Sequence, residues 1–418
     1  MWHGVAGENA RRNWRQRHGA PAGPGLREAT LPAVTDDRVP LGTIAAQWSR
    51  IGVTGFGGPP AHIALFRKLC VDEHSWLSAA DFEDGIAATS LLPGPASTQL
   101  AIFCAWRLRG PIGALLGGFC FIVPGLVIIL ALSALFIERT PPLWIVGAAA
   151  GAGAGVPAVA LGAAVGLVPA SWKRARGVRA REARWMLYLF AGGVSGALAG
   201  EYLALVLALC GLVEVSVLGR PAPETRRPAP AAFPILAVAP VLGGLAALAF
   251  VAFKVGALSY GGGFVIIPLM QHDAVNTYHW MTNSQFLNAV ALGQVTPGPV
   301  VQTVAVVGYA ARGLGGGLLA SFVAFAPSFV FVLVGAPHFA RLQQSARIQA
   351  FLTGAGACAI GAIAGVCIPL GLALAHLWQV VPALLAAGWL LALRKSVVIA
   401  LIGCGAIGVV AVLAGAPA

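Results

Sequence analysis

One short pattern, written twice, constrains this chain more than any other feature. Ile51-Gly52-Val53-Thr54-Gly55-Phe56-Gly57-Gly58-Pro59 recurs as Val255-Gly256-Ala257-Leu258-Ser259-Tyr260-Gly261-Gly262-Gly263, 204 residues later. The same shift carries Trp76 to Trp280, Phe82 to Phe286 and Pro93-Gly94-Pro95 to Pro297-Gly298-Pro299. One residue then drops out. A shift of 203 carries Gln99 to Gln302, Arg109-Gly110 to Arg312-Gly313, Phe119 to Phe322 and Pro124 to Pro327. Biased composition does not align Trp, Phe, Gln and Arg in one register, so the chain is an internal duplication.

The setting of the motifs decides the class. Of the 418 residues 58% are hydrophobic and 10% charged, against roughly 25% charged in soluble domains. The 54 glycines and 28 prolines lie inside long apolar runs, which disorder does not explain. There is too little polar surface for a soluble enzyme. The expected fold class is an all-α polytopic membrane protein. It consists of two homologous helical units with broken helices and about 12–13 transmembrane segments.

Each unit follows one plan. A first segment (41–66, and 252–270) is broken by glycines, and a polar loop follows. A segment interrupted by Pro-Gly-Pro (84–106, and 288–310) leads through an Arg-Gly turn to an apolar helix (111–137, and 313–336). A small-residue helix completes the core of the unit (143–169, and 350–374). Spans at 185–199 and 201–218 have counterparts at 378–393 and 396–416, and 233–250 is an extra apolar stretch. The expected domains are a disordered basic tail (1–40), a first repeat (41–218), a Pro-rich cytoplasmic linker (219–232) and a second repeat (233–418). The tail has no apolar h-region and is not read as a signal peptide.

Charge sets the orientation. The formal net charge is +12, and the basic residues stand between apolar segments, as topology signals do. Lys173, Arg174, Arg176, Arg179, Arg181 and Arg184 form the densest cluster. With the N-terminus cytoplasmic, inverting the second repeat puts Arg341, Arg347, Arg394 and Lys395 inside together with that cluster. Inverted repeats are therefore expected, with the C-terminus periplasmic or external. Acids of the first loop (Asp72, Glu73, Asp81, Glu83, Asp84) and Asp273 of the second read as solvated. Seven cysteines without a CxxC pair read as small buried hydrophobes. No cofactor or metal site is expected, and no nucleic-acid partner.

Glycine clusters and Pro-Gly-Pro end a helix within the bilayer, where broken backbone is tolerated only against protein or a cavity. A helix restarting after Pro95 or Pro299 presents free N–H groups and a positive dipole end, which suit an anion. A single break is explained by a packing kink. Breaks at corresponding places in two repeats point to a transporter's binding site. The candidate substrate-binding set is Gly57, Gly58, His62, Pro93, Gly94, Pro95 and Gln99 in the first repeat. In the second it is Gly261, Gly262, Gly263, Pro297, Gly298, Pro299 and Gln302. Lys254, Arg109 and Arg312 are further candidates for anion contact or coupling, since ionisable intramembrane residues mark function. No nucleotide loop or nucleophile–base pair is present.

At these residues the sequence resembles the chromate ion transporter (CHR) family. Gly55-Phe56-Gly57-Gly58-Pro59-Pro60-Ala61-His62-Ile63, Leu92-Pro93-Gly94-Pro95 and Gln99 are similar to its N-terminal half. Tyr260-Gly261-Gly262-Gly263, Ile267-Pro268-Leu269 and Thr296-Pro297-Gly298-Pro299 are similar to its C-terminal half. Pro60 departs from the pattern, where many relatives carry a small residue. The resemblance to long, two-domain members implies an inner-membrane secondary transporter with antiparallel halves. It implies proton-motive-force-dependent chromate efflux giving chromate resistance, with sulfate as a mimic. The expected partners are chromate or sulfate, protons as coupling ion, and the lipid bilayer. Oligomeric state stays open, a homodimer included. The alternatives are a sulfate or other oxyanion transporter of the same fold, and a polytopic membrane enzyme or assembly factor without flux.

Overall fold

A computed structural model describes residues 39–90, 92–136, 142–198, 202–217, 243–259, 264–336 and 345–417. The predicted tail up to residue 38, the linker and the motif residues Gly261, Gly262 and Gly263 lie outside the described residues. Those described are helical or in turns, with no strand among them.

The first repeat begins with α1 (Leu41–Thr54) and α2 (Gly58–Arg67), which continues as a π-turn, Lys68–Glu73. Next come α3 (Ala79–Thr89), α4 (Ala96–Phe136), α5 (Leu143–Ala154), α6 (Val156–Ala175), α7 (Arg179–Leu198) and α8 (Leu203–Val217). The second repeat reproduces the plan with α9 (Gly244–Leu258), α10 (Ile266–Gln271) and a π-turn, His272–Thr277. It continues through α11 (Asn283–Val295), α12 (Thr303–Gly335), α13 (Ala346–Gly365), α14 (Cys367–Leu372), α15 (Val380–Ala387) and α16 (Val397–Leu413).

The duplication extends to the caps. Ser78 accepts the Asp81 N–H at the start of α3, and at the corresponding start of α11 Thr282 and Gln285 form a capping box. Such a cap stabilises a helix by about 1 kcal/mol. Neither α4 nor α12 is a single rod. Arg109 (φ −139°) and Gly110 (φ 62°, ψ −151°) reverse the chain. Residues 111–136 then fold back on 96–108, with Gly113 and Gly117 against Ala105. Arg312 and Gly313 do the same in α12, where Gly308 and Gly316 press backbone to backbone. Glycine here serves close approach, since a Cβ would strike the facing carbonyl.

The repeats are inverted. The long legs of α4 and α12 pack antiparallel: Gly118 of α4 meets the Phe329 ring, and Gly317 of α12 meets Leu130. Early residues of one helix thus face late residues of the other. Helices also cross between repeats. α5 lies against α16 through Gly147, Gly151 and Gly408, and α13 fits against α7 through Gly192, Gly193, Gly361 and Gly365. Four helical stretches, Ala96–Phe136, Leu143–Ala175, Val300–Gly335 and Ala346–Leu372, are long and apolar enough to cross a bilayer. Their outward residues are large and apolar, Phe119, Phe322 and Leu372 among them.

Two expectations change. The second half of the extra stretch 233–250 belongs to the first segment of the repeat, because Gly244 already opens α9, the counterpart of α1. Residues 233–242 lie outside the described residues. Asp273 is not solvated but buried, at 3% exposure, against Lys254.

Glu214, isolated in an apolar run, acquires a role. Arg184 donates to it from Nε at 2.7 Å and from a terminal nitrogen at 2.9 Å, and the Tyr188 hydroxyl donates at 3.0 Å. This clamp ties α7 to α8. Glu214→Ala is expected to cost about 1–3 kcal/mol, the penalty for stranding its buried partners. Thermal unfolding in detergent would show it, with Glu214→Gln falling between.

Candidate functional site

The four breaks meet at one crossing. Gly94 donates its N–H to the Ser259 carbonyl at 3.0 Å, and Gly298 donates its N–H to the Gly55 carbonyl at 3.0 Å. Ser259 and Gly55 are the residues that end α9 and α1. Each Pro-Gly-Pro loop therefore caps the broken helix of the opposite repeat, and the two bonds are exchanged by the internal pseudo-twofold. Gly94 (φ 123°) and Gly298 (φ 98°) occupy the left-handed region that glycine alone enters at little cost. The flanking prolines donate no N–H, so the glycine supplies the one donor the loop can offer.

Side chains brace the crossing. Gln99 donates from Nε2 to the Pro93 carbonyl at 2.6 Å, and Gln302 donates from Nε2 to the Ile122 carbonyl at 2.7 Å. Both are buried. His62 is fully buried, lies edge-on to Phe121 and donates from Nε2 to the Gly55 carbonyl at 2.9 Å. The Gly55 oxygen thus takes two donors, and His62 Nδ1 has no partner. His62 stands behind the first break, as a brace of the carbonyl that receives Gly298.

A cavity of about 800 Å³ opens between the repeats beside the crossing. The first break (Gly57, Gly58), Gly94 and Ala96 line it, with Gln294 and Phe264 opposite. Ala96 opens α4, so the start of that helix faces the cavity. Arg174, Arg394 and Lys395 also line it, and all three are solvent-exposed. Their charges raise the local concentration of anions at the entrance. Pro93, Pro95, Gln99, Pro297, Gly298, Pro299, Gln302 and His62 stand behind this wall rather than in it.

The remaining candidates fall elsewhere. Lys254 Nζ lies 2.5 Å from Asp273 Oδ2, with side chains 6% and 5% exposed. Its charge is therefore matched inside the protein, and the Phe250 ring lies 5.9 Å away. Arg109 and Arg312 sit at the hairpin turns of α4 and α12, away from the cavity. The first-loop acids are exposed or half-buried, and three pair locally: Asp81 with Arg107, Glu83 with Arg67, Glu73 with Lys68. Among the described residues no cluster of His, Cys, Asp or Glu could hold a metal ion. Sequence reasoning read Arg174, Arg394 and Lys395 only as topology signals and missed that they line one cavity.

Comparison with known proteins follows the same two halves. The family profile described as Chromate transporter matches residues 42–215 and 246–409. The chain belongs to the chromate transporter family. It is 33% identical over 330 residues to the chromate transport protein of Cupriavidus metallidurans, covering 77% of this chain and 80% of that one. It is 30% identical over 347 residues to a chromate transport protein of Pseudomonas aeruginosa, covering 78% and 80%. An uncharacterized transporter of Methanocaldococcus jannaschii is 27% identical over 311 residues, covering 71% and 76%. No solved structure matches. The chain is thus a multipass membrane transporter of this family, not an enzyme.

Proposed function

We propose that this transporter carries chromate, as a tetrahedral oxyanion, out across the inner membrane at the expense of the proton motive force, and so confers chromate resistance. The observation that carries the proposal is the crossing itself. Two Pro-Gly-Pro loops cap each other's broken helices at the edge of a cavity with a basic mouth. Such duplicated breaks at a repeat interface are where secondary transporters bind their cargo. The anion enters past Arg174, Arg394 and Lys395 and settles at the breaks formed by Gly57, Gly58 and the loop of Pro93, Gly94 and Pro95. The corresponding loop of Pro297, Gly298 and Pro299, with Gln302, stands behind this wall and holds the broken end of α1 in place. One repeat rocks against the other to alternate access. The N-terminus is placed in the cytoplasm by the positive-inside rule. The names of the relatives support chromate as cargo.

Everted vesicles provide the test. They are expected to accumulate chromate under an imposed proton gradient, and a protonophore is expected to reduce the rate more than about tenfold. Uptake that ignores the gradient would end the coupling claim. The second reading, sulfate as the physiological cargo of the same site, predicts that sulfate competes with chromate at equal or lower concentration in one flux assay.

A further inference from the structure

The duplication brings two pairs of corresponding residues to the cavity between the repeats. The shift of 204 carries Pro60 to Phe264 and Ser90 to Gln294. All four line the cavity. Ser90 caps the C-terminal end of α3, and Gln294 lies in the last turn of α11. Each therefore stands just before the Pro-Gly-Pro loop of its own repeat. The cavity straddles the internal pseudo-twofold, and neither repeat builds it alone. Neither Ser90 nor Gln294 belongs to the set that the motifs mark out.

The inner wall is short of polar groups. Its charges, Arg174, Arg394 and Lys395, all stand at the exposed mouth. Among the described lining residues one buried side-chain atom has no hydrogen-bond partner, Gln294 Nε2. The residue is 8% exposed. A buried amide donor without a partner is costly and calls for an explanation. Oε1 of the same amide is not sealed in this way, so one end of the group is open to the cavity. A half-turn of the amide exchanges its ends and presents two N–H donors there. Ser90 is exposed on the wall of the first repeat. Its hydroxyl donates to the Ile86 carbonyl at 2.7 Å, an oxygen that also receives the Ser90 N–H at 3.0 Å. Turning that hydroxyl to a ligand leaves no orphaned carbonyl.

We propose that Gln294 binds the transported oxyanion inside the cavity, its amide N–H groups donating to the anion's oxygens, with the Ser90 hydroxyl as the corresponding, weaker donor of the first repeat. The inference rests on the oxyanion-transport reading and deepens it by naming a side chain that touches the cargo. The rest of the inner wall is largely apolar, Val159, Ala163 and Leu390 included. That is the usual composition of a site in which a few placed polar groups fix the ligand. An amide donates to an anion without adding a fixed charge. A buried arginine in its place would hold a divalent ion too firmly, and transport requires that the ion leave again. The three cations at the mouth gather anions, and the neutral donors further in hold them.

Chromate uptake by everted vesicles of the full chain tests this, with KM and maximal rate fitted separately and normalised to inserted protein. Gln294→Leu is expected to raise KM at least about tenfold, the loss of a hydrogen bond to a charged group. Its unfolding midpoint in detergent is expected to stay at the wild-type value. Gln294→Glu keeps the length of the side chain but sets a carboxylate against the anion, and is expected to raise KM further than Gln294→Leu. Gln294→Asn keeps the amide and withdraws it by one carbon, and is expected to raise KM less. Ser90→Ala is expected to raise KM about threefold, since only one weaker donor is lost. A structural role for Gln294 would instead lower the unfolding midpoint and the maximal rate together and leave KM where it was. A wild-type KM in inserted Gln294→Leu and Gln294→Glu overturns the assignment while leaving oxyanion transport standing. A wild type that moves no chromate and no sulfate overturns the transport reading, and this inference falls with it.

Discussion

Asp273→Ala is expected to remove about 3–5 kcal/mol of stability, the cost of leaving a buried ammonium without its counter-ion. Lys254 Nζ and Asp273 Oδ2 are 2.5 Å apart, and neither side chain is more than 6% exposed. Lys254 lies on α9 before the second glycine break, and Asp273 lies in the π-turn after it. The pair therefore ties together the two limbs of one broken segment. The first repeat has Arg50 and Leu69 at those positions, so it holds its break without a pair. Truncating one partner is predicted to leave little monodisperse protein in detergent and a much lower unfolding midpoint. Replacing both, with Lys254→Met and Asp273→Leu, removes the charges together and is expected to recover most of the loss. A single variant as stable as the wild type would show that the pair does not hold the break.

The sequence made the architecture legible because its strongest signals are local. Glycine clusters, Pro-Gly-Pro and Arg-Gly each impose a break or a turn on their own few residues, and the duplication repeats them in register. The hairpin turns at Arg109 and Arg312 come directly from that pattern. The inversion was legible as well, because basic residues report on membrane sides. What was not legible is pairing between distant residues. Nothing near Gly94 announces that its N–H donates to Ser259, or that Ser328 stands behind it. Asp273 read as a loop acid because polarity alone does not reveal a lysine on a neighbouring helix. Arg174 read as a topology signal, and it is one of three cations on the cavity wall only because α6 and the turn before α16 end at the same place. Glu214 stands alone in an apolar run, and its partners Arg184 and Tyr188 lie 30 and 26 residues away on another helix.

Gly94→Ala is expected to reduce transport at least about tenfold, and Gly110→Ala is expected to leave it close to wild type. The comparison separates two costs that glycine substitutions usually mix. Both residues have positive φ, 123° and 62°, so in each an alanine carries a backbone cost of about 1–3 kcal/mol. Their surroundings differ. A Cβ on Gly110 has nothing within 4 Å, whereas one on Gly94 would run into the Gln99 amide and lie 3.3 Å from Ser328 Oγ. Displacing Gln99 loosens its bond to Pro93 and turns the Gly94 N–H away from Ser259, so the loop ceases to cap α9. Gly298→Ala lies between them: its Cβ would rest 3.4 Å from Gln302, an ordinary contact, on a strained backbone. The predicted order of chromate flux is therefore Gly110→Ala above Gly298→Ala above Gly94→Ala. The measurement is initial rate in vesicles, normalised to inserted protein. Equal losses at 94 and 110 would mean that backbone strain alone governs these positions. Equal losses at 94 and 298 would mean that the two loops share the work of the crossing.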